Sequence, residues 1–143
     1  MRNGFLSEKE LRTIFWENYN RTGRAHRHQF ECPIREGGAD LVTVEQFQGN
    51  YQLNAFEFKL ADIKKVILQA EANAEYVNKS WIVIPSDKEN LINDKWMSYL
   101  QEKKVIGVIS VEPGGRYKIL FQPRFQQVMK FNQALVNLMM KGY

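Results

Sequence analysis

The stretch from residue 51 to residue 85 constrains the fold of this chain more than any other. Its first part, Tyr51–Leu60, ends in strict alternation of apolar and polar residues, which is typical of a strand. Asp62 then precedes apolar residues at helical spacing, which predicts a helix with one buried face. The short apolar run Trp81–Pro85 ends at a proline and is typical of a strand buried on both faces. This order predicts a helical crossover between strands of one sheet, and therefore an α/β fold.

The other segments extend this prediction over a single domain, residues 1–143. Ser7 and Glu10 have the spacing of a capping box, so the first helix is predicted over Glu8–Tyr19. The remaining predicted elements are strands Gln29–Ile34 and Ala39–Val44, a helix from about Asn90 to Lys103, strands Val105–Val111 and Tyr117–Phe121, and a helix from about Phe125 to Met140. We therefore expect a mixed sheet flanked by helices, with a hairpin and a helix added at the C-terminal end.

The composition excludes several classes of protein. Of 143 residues, 20 are Lys or Arg and 16 are Asp or Glu, and the net charge of +4 permits nucleic acid as a partner. Cys32 is the only cysteine, which excludes an intramolecular disulfide and a thiolate zinc site, and we expect it to be buried. The sequence has no run of about 18 apolar residues, and its first ten residues, MRNGFLSEKE, carry charges early. These features predict a cytoplasmic protein without a membrane segment.

Two acids and a lysine are the residues best suited to chemistry. Asp40 lies at the start of a predicted strand, just after the turn at Gly37 and Gly38, and Glu57 and Lys59 are two residues apart on the next strand. Because side chains alternate along a strand, Glu57 and Lys59 are expected to project from one face. Mg²⁺ prefers oxygen ligands and is often held by one or two carboxylates. If the two strands are neighbours, Asp40 and Glu57 would hold Mg²⁺, and Lys59 would orient a water or stabilise charge on a phosphate.

An acid two residues before a lysine carries little information by itself. The same spacing occurs at Glu102 and at Asp62, but on predicted helices, where residues two apart do not share a face. Only Glu57 combines strand periodicity with an upstream Gly-Gly-x-Asp strand and a downstream helix. The alternative for this region is a solvated strand face with an incidental salt bridge.

The segments GGADLVTV and AFEFKL, followed by a helix and WIVIP, resemble the PD-(D/E)xK nuclease superfamily. That superfamily includes restriction endonucleases, archaeal-type Holliday-junction resolvases and RecB-like nucleases. The resemblance covers Glu8 to Pro85 and implies a restriction-endonuclease-like core in the order α-β-β-β-α-β. It implies that Asp40 and Glu57 bind the metal and that Lys59 is the catalytic lysine. Ala39 stands where the family name has its proline.

The resemblance also suggests additional site residues. Many members carry a glutamine on the helix after this strand, which is the position of Gln69. RecB-like members place a tyrosine four residues later, where this chain has Asn73. Resolvase-like members often add a metal-binding glutamate from the first helix, for which Glu17 is preferred over Glu10. The alternative for Gln69 and Glu17 is an ordinary solvated position on a helix.

Basic residues near these motifs are candidates for contacts with DNA phosphates. Arginine binds phosphates through two parallel hydrogen bonds, and such contacts position DNA without reading its sequence. The alternative is a solvated basic loop. His26 and His28 lie among these residues but lack the partners that a zinc site needs. The predicted DNA-contacting residues are Arg21, Arg24, Arg27, Arg35, Lys64 and Lys65.

The sequence thus predicts a Mg²⁺-dependent deoxyribonuclease that hydrolyses phosphodiester bonds, with Mn²⁺ as a substitute metal. Cutting directed by DNA structure is favoured over recognition of a long sequence. A homodimer is expected through apolar surface on the C-terminal helix, which carries Phe131, Leu135, Leu138 and Met139. The alternatives are a catalytically inactive nuclease-fold module that binds DNA or a protein partner, and an interaction protein of phage or mobile-element type.

Overall fold

The computed structural model describes residues 4–127 and 129–140. The protein consists of a six-stranded sheet with helices on both faces. The helices are α1 (Glu8–Tyr19), α2 (Ile63–Asn73), α3 (Glu89–Leu91), α4 (Met97–Lys103) and α5 (Gln133–Met140). A 3₁₀ turn, Ser86–Lys88, precedes α3, and a π-helical turn, Ile92–Trp96, joins α3 to α4. The strands are β1 (Ala25–Cys32), β2 (Ala39–Phe47), β3 (Asn50–Phe58), β4 (Lys79–Pro85), β5 (Ile106–Val111) and β6 (Tyr117–Phe121).

The strands lie in the sheet in chain order, from β1 to β6. The pairs β1–β2, β2–β3 and β5–β6 are antiparallel, whereas β3–β4 and β4–β5 are parallel. Each parallel pair is joined by a helical crossover, as a parallel connection requires. The predicted α/β class and the mixed sheet flanked by helices are confirmed.

The two faces of the sheet pack against different helices. Phe15 of α1 packs with Phe56 and Phe58 of β3 on one face. Ile82 of β4 packs with α2 on the other face, and the strands β1 to β3 there pack with Leu135 of α5. Side chains alternate along β3, so Glu57 faces α2 while the phenylalanines beside it face α1. None of the described helices is long and apolar enough to cross a membrane.

Helix α1 begins and ends where the sequence predicts. The Ser7 hydroxyl accepts a hydrogen bond from the backbone N–H of Glu10 at 3.0 Å, and the Glu10 carboxylate accepts one from the N–H of Leu6. These contacts satisfy N–H groups that have no partner inside a helix. Leu11 and Phe15 then bury one side of the helix, as the apolar spacing predicts.

Two of the elements begin several residues away from the predicted position. The first strand begins at Ala25 rather than Gln29, because β1 pairs with β2 from Glu45 onwards. The last helix begins at Gln133 rather than Phe125. Between Phe125 and Gln133, backbone N–H groups donate to carbonyl groups distant in sequence. For example, the N–H of Gln126 donates to the carbonyl of Asn78 at 2.9 Å. Such bonds are incompatible with a helix over these residues.

Candidate active site

The ends of β2 and β3 bring Asp40 and Glu57 together. Gly38 precedes β2 with a φ of 71°, a conformation that glycine adopts without the strain of a side chain. The turn before the strand is closed by a hydrogen bond from the N–H of Gly38 to the carbonyl of Arg35 at 2.9 Å. Leu41 then pairs with Phe56 in antiparallel register. This pairing sets Asp40 beside Glu57, as the sequence predicts for neighbouring strands.

Backbone groups of the two strands fix both carboxylates. Asp40 Oδ2 accepts a hydrogen bond from the N–H of Phe58 at 2.9 Å. Glu57 Oε2 accepts one from the N–H of Asp40 at 3.2 Å. The negative charge of Asp40 is near enough to Glu57 to raise the pKa of the Glu57 carboxyl group. The site is therefore a pair of acids held by the ladder between β2 and β3.

Burial raises the pKa of both acids, and nearby negative charges raise it further. Glu57 is 1% exposed, and burial, followed by the repulsion from Asp40, raises its pKa to about 7. Burial is also the largest cause of the raised pKa of Asp40, and Glu31 and Glu8 raise it further. Two acids that resist joint ionisation favour a nearby cation, because a cation offsets the repulsion.

Arg35 and Asn73 surround the Glu57 carboxylate on the α2 side. Asn73 is fully buried, and its Nδ2 donates to Glu57 Oε2 at 2.8 Å. Arg35 donates from Nε to Asn73 Oδ1 at 2.6 Å and from Nη2 to Glu57 Oε2 at 3.3 Å. The expectation that Arg35 contacts DNA phosphate is corrected: its side chain is 15% exposed and is directed inwards, because buried Glu57 attracts the positive charge.

A pocket of about 300 Å³ opens beside Asp40 on the α1 side. Glu8 contributes an acid from the first turn of α1, and Arg12 pairs with Glu31 at 2.9 Å across the pocket wall. The residues that line it are Glu8, Lys9, Arg12, Glu31, Asp40 and Phe58. Its size and charged lining suit a small polar ligand rather than an apolar one.

Lys59 lies near this site but not where strand alternation predicts. Strand β3 ends at Phe58, so Lys59 is just outside the regular alternation. Lys59 Nζ is 3.4 Å from Glu8 Oε2 on α1. The Glu57 carboxylate instead contacts Asn73 on α2, which packs on the opposite face. The expectation that Glu57 and Lys59 project together from one face is therefore corrected.

The helices contribute acids and amides other than those preferred from the sequence. Glu8, not Glu17, is the acid of α1 that reaches the pocket beside Asp40. Glu17 is exposed and lies nine residues further along the helix, about 13 Å away. Gln69 is partly buried on α2, whereas Asn73, one helical turn later, contacts Glu57.

The sequence does contain signals for both residues that were missed. Asn73 continues the buried spacing of Val66 and Ala70, so it is a polar residue within an apolar stripe. Glu8 precedes buried Leu11 by three residues, which places both on neighbouring positions of one helix side. Such polar residues at the border of a buried stripe are candidates for site residues.

Four of the predicted DNA-contacting residues are exposed to solvent: Arg24, which has partners within the protein, and Arg21, Lys64 and Lys65, which lie near helix ends. Lys64 and Lys65 are in the first turn of α2, six and seven residues after β3 ends at Phe58. Arg21 follows α1, and its Nη2 donates to Asn18 Oδ1 at 2.7 Å. Their charges are accessible to a phosphate backbone.

Arg24 and Arg27 are placed differently. The Arg24 guanidinium lies 4.5 Å from the ring centroid of Tyr19 and donates to the Tyr117 hydroxyl at 3.2 Å. Arg27 lies in β1 and is partly buried. The segment predicted as one basic loop is therefore a turn followed by a strand, and Arg24 has partners within the protein.

The oxygen donors of Asp40 and Glu57 fit the divalent ion that the sequence predicts. No group of three or more His, Cys, Asp or Glu side chains within residues 4–127 and 129–140 is arranged as a metal cage. Mg²⁺ does not require such a cage, because it usually keeps several waters and is held by one or two carboxylates. Asp40 and Glu57 meet this requirement, since both are oxygen donors whose repulsion a cation would reduce.

Neither a protein-family model nor the sequence of a curated protein matches this chain.

Proposed function

We propose that this protein is a divalent-metal-dependent deoxyribonuclease with a restriction-endonuclease-like core. The juxtaposition of Asp40 and Glu57 carries the proposal, because these adjacent acids both have raised pKa and Asp40 also lines a polar pocket. The order of the elements from α1 to β4, a helix, three antiparallel strands, a helix and a parallel strand, supports the same core.

Asp40 and Glu57 are the proposed ligands of Mg²⁺, with Mn²⁺ as a substitute. Glu8 is a further acid on the pocket that Asp40 lines. When bound, the ion would offset charge on the phosphate and lower the pKa of a bound water. The protein contributes two carboxylates whose positions are fixed by the backbone N–H groups of Asp40 and Phe58.

Lys59 is the proposed catalytic lysine. Its Nζ is held near the pocket by Glu8 and supplies a positive charge that can orient a water or stabilise the phosphate. The water oxygen forms a bond to phosphorus while the bond from phosphorus to the leaving sugar oxygen breaks. The leaving oxygen takes up a proton and the attacking water loses one, so the reaction is a hydrolysis.

DNA is the proposed partner, bound chiefly through its phosphates. Lys64 and Lys65 are exposed at the start of α2, which follows the strand that carries Glu57. Contacts of this kind position DNA without reading its sequence, which favours cutting directed by DNA structure. Arg21 adds an exposed charge after α1.

A homodimer through α5 is proposed on a smaller surface than the sequence suggests. Leu135 and Leu138 are buried in the core and are not available to a partner. Phe131 and Met139 remain exposed, and Val136 and Met140 add to them.

Cleavage assays test the proposed function. Wild-type protein is incubated with Mg²⁺ or Mn²⁺ and supercoiled plasmid, linear duplex, single strand, flap or four-way junction. We expect cutting that falls at least about 100-fold in Lys59→Ala and in Asp40→Asn, since each variant removes a proposed catalytic group. Glu45→Gln, which changes a buried acid on the opposite sheet face, is the matched control and is expected to cut within about twofold of wild type. Cutting that persists in Lys59→Ala and Asp40→Asn would contradict this site.

The contacts of Arg35 favour one second candidate function, a non-catalytic module that binds DNA or a protein partner. Arg35 already neutralises part of the charge on Glu57 without any metal. This candidate predicts no cutting of any substrate with either metal. It also predicts that Lys59→Ala binds DNA or the partner as tightly as wild type does.

A further inference from the structure

Three nitrogen donors converge on one oxygen of Glu57. The N–H of Asp40, the Asn73 amide and the Arg35 guanidinium bond to Oε2 at 3.2, 2.8 and 3.3 Å. The other carboxylate oxygen, Oε1, receives none of these three bonds. These three hydrogen bonds thus fix the Glu57 carboxylate through Oε2, and none of them involves Oε1.

The Arg35 guanidinium is held at three of its nitrogens. Besides the bonds from Nε to Asn73 and from Nη2 to Glu57, Nη1 donates to the carbonyl of Glu36 at 2.8 Å. A planar guanidinium bound at all three nitrogens is fixed in orientation as well as in position. Its positive charge is therefore a permanent part of the site.

The charges around the acid pair favour one divalent ion over two. Lys59 pairs with Glu8, and Arg12 pairs with Glu31, so these neighbours largely cancel. Asp40 and Glu57 carry two negative charges when ionised, and Arg35 compensates one of them. One divalent ion already exceeds the single negative charge that remains. A second ion would add to this positive excess close to the fixed guanidinium and would be repelled.

We infer that Arg35 takes the place of a second metal ion, so that the acid pair binds one divalent cation per chain. Asn73 and Arg35 are positioning residues: they fix Glu57 so that it offers Oε1 to the ion. This inference rests on the proposed function, because it assumes that Asp40 and Glu57 bind metal.

Mn²⁺ binding, measured without DNA by electron paramagnetic resonance of the unbound ion, tests the inference. Wild type is expected to bind one Mn²⁺ per chain, and excess Mg²⁺ is expected to displace it. Arg35→Gln removes the charge and is expected to bind a second Mn²⁺ at millimolar concentration. Arg35→Lys keeps the charge and is expected to bind only one. Thermal unfolding establishes that each variant is folded, and Asp40→Asn is the control that loses the ion.

The outcomes separate this inference from the proposed function. Two ions bound to wild type, or only one bound to folded Arg35→Gln, would overturn the role of Arg35 and leave the nuclease proposal standing. If Arg35→Gln does not fold, the number of ions bound by wild type decides the question. If wild type binds no Mn²⁺, the metal site itself is wrong and the inference fails with it.

Discussion

Two of the glutamates in the part of the chain that the structure describes are buried, and their surroundings differ. Glu45 lies in β2 opposite Gln52, and Glu57 lies in β3 five residues beyond Gln52, about 17 Å along the strand. Glu45 faces α1 and accepts hydrogen bonds from the hydroxyls of Tyr19 and Thr43. Glu57 faces α2 and is bonded by a guanidinium and an amide, with a second carboxyl group beside it.

The comparison shows that burial of an acid does not by itself indicate a functional site. Burial raises the pKa of both glutamates. At Glu45 the hydroxyls reduce this effect and also tie the acid to α1, so a structural role accounts for its contacts. At Glu57 the repulsion from Asp40 adds to the effect of burial, and a polar pocket adjoins Asp40. The second acid and the adjoining pocket distinguish the candidate site.

The two glutamates are expected to differ most in the loss of stability that follows when a hydrogen-bond partner is removed, the Asn73 amide at Glu57 or the Thr43 hydroxyl at Glu45. Asn73→Ala removes a bond to Glu57 and a bond from Arg35, both to charged groups, and is expected to cost about 3–5 kcal/mol. Thr43→Val removes one bond to Glu45, which keeps its bonds from Tyr19, and is expected to cost about 1 kcal/mol. Urea unfolding of the metal-free proteins at pH 7 measures both. A larger cost for Thr43→Val would reverse the comparison.

The pH dependence of stability provides a second contrast. An acid whose pKa is raised on folding stabilises the folded state fully below its unfolded pKa, and this stabilisation is lost as the pH rises through the folded pKa. The pKa of Glu57 rises from 4.5 to about 7, and those of Glu45 and Asp40 also rise. We therefore expect the free energy of unfolding of the metal-free protein to fall from about pH 4.5 to pH 8.

Glutamine variants show how much each glutamate contributes to the fall in the free energy of unfolding with rising pH. Glu57→Gln is expected to remove the larger share, up to about 3 kcal/mol, because its pKa shift includes the repulsion from Asp40. Glu45→Gln is expected to remove a smaller share in the same direction. Guanidinium unfolding in EDTA at a series of pH values measures both shares. Added Mg²⁺ is expected to raise stability above pH 7 in wild type and Glu45→Gln but not in Glu57→Gln.

The predictions from sequence succeeded where the determinants are local. The bounds of α1 follow from the cap at Ser7 and the spacing of Leu11 and Phe15. The pairing of β2 with β3 follows from their alternation and from a turn at Gly49, whose φ is 83°. These features depend on residues within a few positions of one another, and a sequence displays them directly.

The surroundings of Glu57 could not be predicted because they depend on distant contacts. Asn73 is 16 residues from Glu57, and Arg35 is 38 residues from Asn73, so neither pair has a local pattern. Alternation along β3 also fails to place Lys59, because the strand ends one residue earlier. Asp40 and Glu57 could be predicted from their residue types and from the order of the strands that carry them. Their hydrogen-bond partners could be identified only from the folded structure.

The smallest effect is expected for the cations near each glutamate. Lys64 and Lys65 are exposed on the helix that follows the strand of Glu57, whereas Arg24 is held by Tyr19 and Tyr117 near Glu45. If the two lysines contact phosphates, replacing both by alanine lowers the slope of log affinity against log salt by about 2. Arg24→Gln is expected to leave that slope unchanged, because its guanidinium is already engaged within the protein. Fluorescence anisotropy of a labelled duplex in Ca²⁺, from 50 to about 200 mM salt, measures the slopes. An equal drop in slope for Arg24→Gln would mean that the regions near Glu45 and near Glu57 both contact DNA. The two glutamates would then differ in the groups that bond their carboxylates, but not in whether nearby cations bind DNA.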